Sequence, residues 1–351
     1  MTASPSLRRV LLLGATGSIG RATARALSAN GHEVVALIRA GADAAGLDGV
    51  ILRRGEATDA LSLARDGFAG ERFDAVVSCL ASRNGAPEDA WAVDYAAHVA
   101  ALDLAAQAGV RRFVQLSAIC VQKPRLAFQH AKLAFEAKLM ASALDWTIIR
   151  PTAYFKSLSG QFARLKAGKP FLMFGDGQLT STKPISDGDL ARYIAARLED
   201  GAAAGRILPI GGPGPAITPR EQGEQFFAAL GKAPRFQSVP PAMLAGAARV
   251  LSVAGTVAPN LKAKAEFARI GHYYATESML VWDEANNRYD ADATPETGSE
   301  TLFDFYGRLA RGEAEADLGR TSGVLRGCWT RHLIAAVRRS AVRESSAAIP
   351  T

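Results

Sequence analysis

The stretch Gly14-Ala15-Thr16-Gly17-Ser18-Ile19-Gly20 constrains this chain more than any other. It follows the apolar run 10–13 and leads into residues 19–30, an alanine-rich segment that ends at Gly31. An unbroken apolar run stopped by glycine reads as a strand buried on both faces of a parallel sheet, and the segment after it reads as a helix. Glycines at this spacing let the backbone turn tightly and approach a ligand closely. The helix N-terminus then offers free N–H groups and a positive dipole end to a pyrophosphate. Gly14, Thr16, Gly17, Ser18, Ile19 and Gly20 are therefore the expected contacts of a dinucleotide.

Further short apolar runs at 34–38, 50–52, 75–79, 112–116 and 146–149 alternate with helical stretches at 91–108 and 126–142. Strand–helix alternation of this kind builds βαβ units with right-handed crossovers. The fold class expected is α/β, a doubly wound Rossmann-type parallel sheet. From Pro151 onward the pattern loosens, with glycine and proline clustered at 168–170, 175–177 and 211–219. The expectation is one nucleotide-binding unit over residues 1–318, with a smaller C-terminal substrate lobe formed mainly from 151–310.

Residues 319–351 form a basic C-terminal tail in which Arg320, Arg326, Arg331, Arg338, Arg339 and Arg343 face a single acid, Glu344. Most of the formal charge of +7 therefore sits there, which leaves the body nearly neutral and argues against a nucleic-acid partner. Trp329, Leu333 and Val337 recur every fourth residue, so the tail reads either as a solvated extension or as an amphipathic helix making a peripheral membrane contact. Cys79, Cys120 and Cys328 are widely spaced without a CxxC pair. That excludes a disulfide framework or zinc site, leaves no metal expected in the protein, and points to a reducing, cytoplasmic setting. No apolar run is long enough to span a membrane.

The second strand ends in Arg39, where an NAD enzyme usually carries an acid for the ribose hydroxyls. A guanidinium matches a phosphate instead, so the expected cofactor is NADPH, with Arg21 as support.

The glycine spacing, Ser117 at a strand end and Lys132 in the following helix resemble the short-chain dehydrogenases in their atypical, NmrA-like branch. A typical member places tyrosine four residues before the lysine, whereas this chain has Phe128. Tyrosine is the usual proton donor to a carbonyl oxygen. Its loss leaves open a reductase protonated by other means or a non-enzymatic NADP(H)-binding redox sensor. A closer likeness runs through 117–124, 128–129, 131–132, 135–136, 150–153, 155–158, 168–170, 174–177, 183–186, 273–279 and 289–295, and covers about residues 8–310. In these stretches the chain resembles the NADPH-dependent divinyl chlorophyllide 8-vinyl reductases.

That resemblance implies reduction of the 8-vinyl group of a magnesium tetrapyrrole, a divinyl chlorophyllide or protochlorophyllide, to ethyl in chlorophyll or bacteriochlorophyll synthesis. The expected setting stays cytoplasmic, with the tail either solvated or reaching the inner face of a photosynthetic membrane. A vinyl group has no oxygen to protonate, so the missing tyrosine fits. Hydride would add to the terminal vinyl carbon, the macrocycle would take up the charge, and a proton would arrive at the inner carbon. Ser117 and Lys132 would line the nicotinamide and its ribose. Tyr154 is the first proton donor to consider, ahead of Lys156, His130, Cys120 and solvent. Phe128, Phe155 and Phe174, with Phe162 and Phe171, would form an apolar slot for the substrate. His272 either packs beside Tyr273 and Tyr274 or meets the substrate's magnesium. A reductase of another conjugated alkene would share the same features.

Overall fold

The computed structural model describes residues 8–83, 85–254 and 260–315, so the basic tail and Cys328 lie outside the described residues. The chain runs through β1 (Arg9–Leu13), β2 (Glu33–Ile38), β3 (Ile51–Arg54), β4 (Ala75–Ser78), β5 (Arg112–Leu116) and β6 (Asp145–Pro151). It continues through β7 (Phe171–Phe174), β8 (Arg206–Ile210) and β9 (Phe236–Val239). Seven of these form one parallel sheet in the order β3-β2-β1-β4-β5-β6-β8. The order reverses between β1 and β4, which opens a crevice at the carboxyl ends of those strands.

Alternation within each strand explains the two-layer core. Val10 and Leu12 point to one face with Ala36, Val77 and Val114, beneath the helices Ser18–Ala29 and Asp187–Glu199. Leu11 and Leu13 point to the other face with Val35, Val76 and Phe113, beneath the helices His98–Gln107 and Ala127–Met140. Because both faces are covered, β1, β2 and β4 read as nearly unbroken apolar runs rather than alternating ones, while β5 buries Arg112 and Gln115 among its apolar residues.

The segment after Pro151 does not stay in a separate lobe. It leaves the sheet, returns for Asp187–Glu199 and β8 on the sheet edge, and leaves again. β8 has Pro209 within it and is only partly buried, as an edge strand tolerates; that is why hydrophobic patterning did not reveal it. The lobe proper pairs β7 with β9 in parallel and packs them under the helices Pro219–Ala229 and Leu302–Arg311. Its core includes Phe171, Phe226, Phe227 and Tyr306, with the rings of Phe226 and Tyr306 stacked at 3.5 Å. The helices Pro241–Ala254 and Asn260–Thr276 form a pair that packs over residues 119–128.

One buried polar contact ties the sheet to the helical layer below the crevice. Ser78 Oγ, at the end of β4, lies 2.8 Å from His98 Nε2, and His98 Nδ1 lies 2.8 Å from the Val93 carbonyl. A carbonyl can only accept, so Nδ1 carries the proton and Nε2 accepts from the serine. Burial, with the Lys132 cation nearby, pushes the His98 imidazole down to about 4. The unfolded chain therefore binds more protons than the folded one between about pH 6.5 and pH 4. Stability is full above that window and falls as pH drops through it, by about 3 kcal/mol for this group. Chemical denaturation at pH 7, 5.5 and 4.5 should show this loss, and His98→Gln should flatten it. An equal slope in both proteins would remove His98 as the cause.

Candidate active site

The glycine turn makes a cradle whose shape follows from two close approaches. Gly14 has φ +80°, and a Cβ there would lie 2.6 Å from the Cys79 carbonyl carbon and oxygen. A Cβ on Gly20 would fall 2.1 Å from the Gly14 carbonyl oxygen. Gly17 differs, since its Cβ would meet only the Gly14 oxygen at 3.5 Å and otherwise face open space. Gly17 caps the helix Ser18–Ala29 in extended backbone conformation, with no side-chain cap and no acid in the first turn. Thr16 and Ser18 are half-buried beside it. The first N–H groups are thus unclaimed by a cap and point at the space a diphosphate needs, so these residues fit a dinucleotide. The Ile19 side chain belongs to the core, which leaves only its backbone for a ligand.

Arg39 stands exposed at the carboxyl end of β2 and makes no ion pair among the described residues. Arg21 is committed elsewhere. Its guanidinium holds the carbonyls of Thr16 at 3.2 Å, Asp43 at 3.0 Å and Ala45, and so pins the loop after Arg39. Arg54, which sequence reading missed, reaches the carbonyls of Arg39 and Ala42 at 3.2 and 3.1 Å and brings a second guanidinium to that end.

Ser117 directly follows β5 and Lys132 lies within the helix Ala127–Met140, each with a buried acid as partner. Lys132 Nζ pairs with Asp94 Oδ1 at 2.9 Å, and both side chains are almost fully buried. Asp94 lies on Trp91–Ala97, which winds as a π-helix, a local widening often found at functional sites. An ammonium has three donors, so one bond to Asp94 leaves two. Ser117 Oγ donates to Glu136 Oε1 at 2.5 Å, and Glu136 is also held by Arg150. The serine proton is spent there, and only its lone pairs remain for a ligand. Asp94, Glu136 and Arg150 were not singled out from the sequence; Glu136 sits one helical turn after Lys132, which was the available signal.

Phe128 packs with Ile119, Leu126, Ile270, Tyr273 and Met279. An apolar wall stands where a typical dehydrogenase would carry its phenol. Tyr154 follows β6, bridges to Ile185 and packs against the core cluster of that sheet face, with Cys79 nearby. Burial, with Cys79 and Asp187 nearby, raises its phenol well above the usual range, so it keeps its proton. Cys120 is buried, its thiol pushed up by burial, and its carbonyl accepts from Tyr273 Oη at 2.8 Å and Gln129 Nε2 at 3.0 Å. The Cys79 thiol is likewise pushed up, to about 12, so neither cysteine is an activated nucleophile. His130 is exposed. Tyr274, named from the sequence only as a neighbour of His272, turns its hydroxyl toward Cys120 Sγ at 3.9 Å.

The other aromatics divide. Phe155, Phe162 and Phe171 pack in the lobe core, and Phe174 ends β7 opposite Val239. Phe155 also lines, with Ser18, Lys156 and Asp187, a cavity of about 210 Å³ that begins at the cradle. A larger cavity of about 540 Å³ opens between Leu126, Tyr273 and the helices Pro241–Ala254 and Asn260–Thr276, and His272 faces it. Its volume falls in the range of small-molecule sites, roughly 300–1,000 Å³. Among the described residues no cluster of side chains could hold a metal ion, and no helix is long and apolar enough to cross a membrane.

The family described as NAD(P)H-binding matches residues 14–201. The chain is 46% identical over 332 residues to a divinyl chlorophyllide a 8-vinyl-reductase of Oryza sativa subsp. indica, covering 90% of this chain and 82% of the relative. It is 42% identical to the protein of that name from Arabidopsis thaliana, covering 90% and 80%. Both relatives are named as chloroplastic, a compartment other than the cytoplasm that the cysteine content points to. Among solved structures it is similar to an NADPH-dependent quinone oxidoreductase of Escherichia coli complexed with NADPH, with TM-score 0.60, 19% identity and coverage of 86% and 99%. That likeness confirms the fold. With relatives 42–46% identical along most of its length, the chain belongs to the divinyl chlorophyllide a 8-vinyl-reductase family.

Proposed function

We propose that the protein reduces the 8-vinyl group of a divinyl chlorophyllide or protochlorophyllide to ethyl, with NADPH as reductant. The observation that carries this reading is Phe128, set in an apolar wall that continues into the cavity at Leu126 and Tyr273. A carbonyl substrate would need the phenol that this wall replaces, and a vinyl group does not. A redox sensor would need no second cavity of this size beside its cofactor.

When bound, the reduced nicotinamide supplies the hydride. The protein's own part is to bind, orient and exclude water. Gly14, Gly17 and Gly20 shape the cradle, and the backbone of Thr16, Ser18 and Ile19 meets the diphosphate. Lys132, with two N–H groups left after Asp94, and Ser117, with its lone pairs, hold the nicotinamide ribose. Phe128 and the apolar residues around it press the macrocycle toward the nicotinamide side, while Phe155 and Phe174 border the cleft from the lobe. Tyr154 keeps its proton at neutral pH and delivers it to the inner vinyl carbon, because a developing carbanion is a far stronger base than a phenolate. His272, which lines the larger cavity and whose imidazole has no hydrogen-bond partner among the described residues, would meet the substrate's magnesium. The basic segment 319–351 would bring the enzyme to a membrane that dissolves its substrate.

Incubation with NADPH and divinyl chlorophyllide a should shift the Soret band to the blue and add two hydrogens to the mass. Tyr154→Phe should slow that turnover at least tenfold with NADPH affinity unchanged. Tight NADPH binding without conversion would instead favour a sensor or another alkene, and full turnover by the phenylalanine variant would assign the proton to solvent.

Preference for NADPH over NADH rests on the unpaired Arg39 and on Arg54 beside it. Arg39→Asp should weaken NADPH binding about tenfold or more, leave NADH binding equal or tighter, and keep the melting temperature, since Arg39 is exposed. Equal loss for both cofactors in a binding titration would refute this preference.

A further inference from the structure

The 540 Å³ cavity is lined by three arginines, and their partners differ. Arg125 pairs with Glu277 at 2.8 Å, and Arg269 pairs with Glu266 at 2.9 Å. Both acids are buried and already engaged. Glu277 also accepts from Tyr289 Oη at 2.6 Å and pairs with Lys123 at 2.9 Å, while Glu266 accepts from the Ala127 N–H at 3.2 Å. Arg249, on the helix Pro241–Ala254, has no carboxylate or other partner among the described residues. The rest of the lining is largely apolar, through Leu126, Ala245, Ala248 and Tyr273. Such a cavity suits a ligand with a large apolar body and one anionic group, since a small hydrated anion gains nothing from the apolar walls.

We propose that Arg249 is a specificity-determining residue that reads the carboxylate of the tetrapyrrole substrate, so that this cavity selects the free acid over its esters. The inference rests on the reading of the substrate given above. A planar guanidinium pairs with a carboxylate through two parallel N–H···O bonds. Esterification removes the charge and one acceptor site, and the pairing goes with them. The inner wall formed by Leu126 and Tyr273 belongs to the cluster that contains Phe128 and Cys120, so a body anchored at Arg249 extends toward the nicotinamide side of the site. Arg249 binds and orients; it takes no part in the transfer of hydrogen.

The test measures binding rather than turnover. The full chain, without cofactor, is titrated with monovinyl chlorophyllide a and with its methyl ester, following the Soret band, for the native protein and for Arg249→Ala and Arg249→Lys. The native protein should bind the acid about tenfold more tightly than the ester. Arg249→Ala should abolish that preference by weakening the acid alone, Arg249→Lys should restore part of it, and NADPH binding should be the same in all three as a check of folding. Equal affinity of the native protein for acid and ester would overturn the proposal, as would a proportionate loss of both ligands in Arg249→Ala. Acid-selective binding without any NADPH-dependent reduction of the divinyl compound would leave Arg249 its role and remove the reductase reading instead.

Discussion

The helix Ser18–Ala29 is seated so close to β1 that Gly20 leaves no room for a Cβ against the Gly14 carbonyl, and the rest of the site depends on that contact. The same turn presses Gly14 onto the backbone at Cys79, the residue that follows β4. The helix N-terminus, the end of β1 and the end of β4 are thereby fixed relative to one another at the point where the strand order reverses. A side chain at either glycine would move the helix away and displace the free N–H groups from the crevice. Gly17 serves differently, since the space over it is open and available to a ligand.

The region around Ser117 and Lys132 is held by buried charge. Lys132 with Asp94, and Glu136 with Arg150 and Ser117, are ionic contacts between elements that hydrophobic packing alone would leave free to slide. Such pairs contribute little net stability against a well-packed apolar alternative. Removing one partner, however, strands the other and costs about 3–5 kcal/mol. The groups expected to meet the cofactor are thus also structural groups, and their orientation is set before any ligand arrives. The π-helical turn Trp91–Ala97 places Asp94 under the lysine, and His98 one residue beyond that turn is locked by Ser78.

The larger cavity is built by a different part of the chain. The helices Pro241–Ala254 and Asn260–Thr276 close over residues 119–128, and Glu266 caps the backbone at Ala127. Tyr273 reaches the carbonyl of Cys120, which joins the helical pair to the loop after β5. An apolar wall with arginines at its edge surrounds Phe128, four residues before Lys132, where a typical short-chain dehydrogenase carries tyrosine.

The sequence by itself determined the sheet, the cradle and the spacing of Ser117 and Lys132, because each is a local pattern. Strands buried on both faces appear as apolar runs, and a glycine turn shows its spacing within seven residues. Arg39 was legible for the same reason, since it follows a strand directly. Tertiary structure alone decided the rest. The return of β8 to the sheet was hidden by an edge strand with weak patterning. The partners of the key groups lie far along the chain, 38 residues for Lys132 with Asp94 and 153 for Tyr273 with Cys120, and no periodicity encodes such a meeting. Phe155 was indistinguishable by type from Phe128, yet one packs in the lobe core and lines the small cavity at the cradle, while the other stands in the apolar wall beside the larger cavity. Arg249 is one arginine among many in the sequence. It stands out only because folding neutralises Arg125 and Arg269 with buried glutamates and leaves it without one.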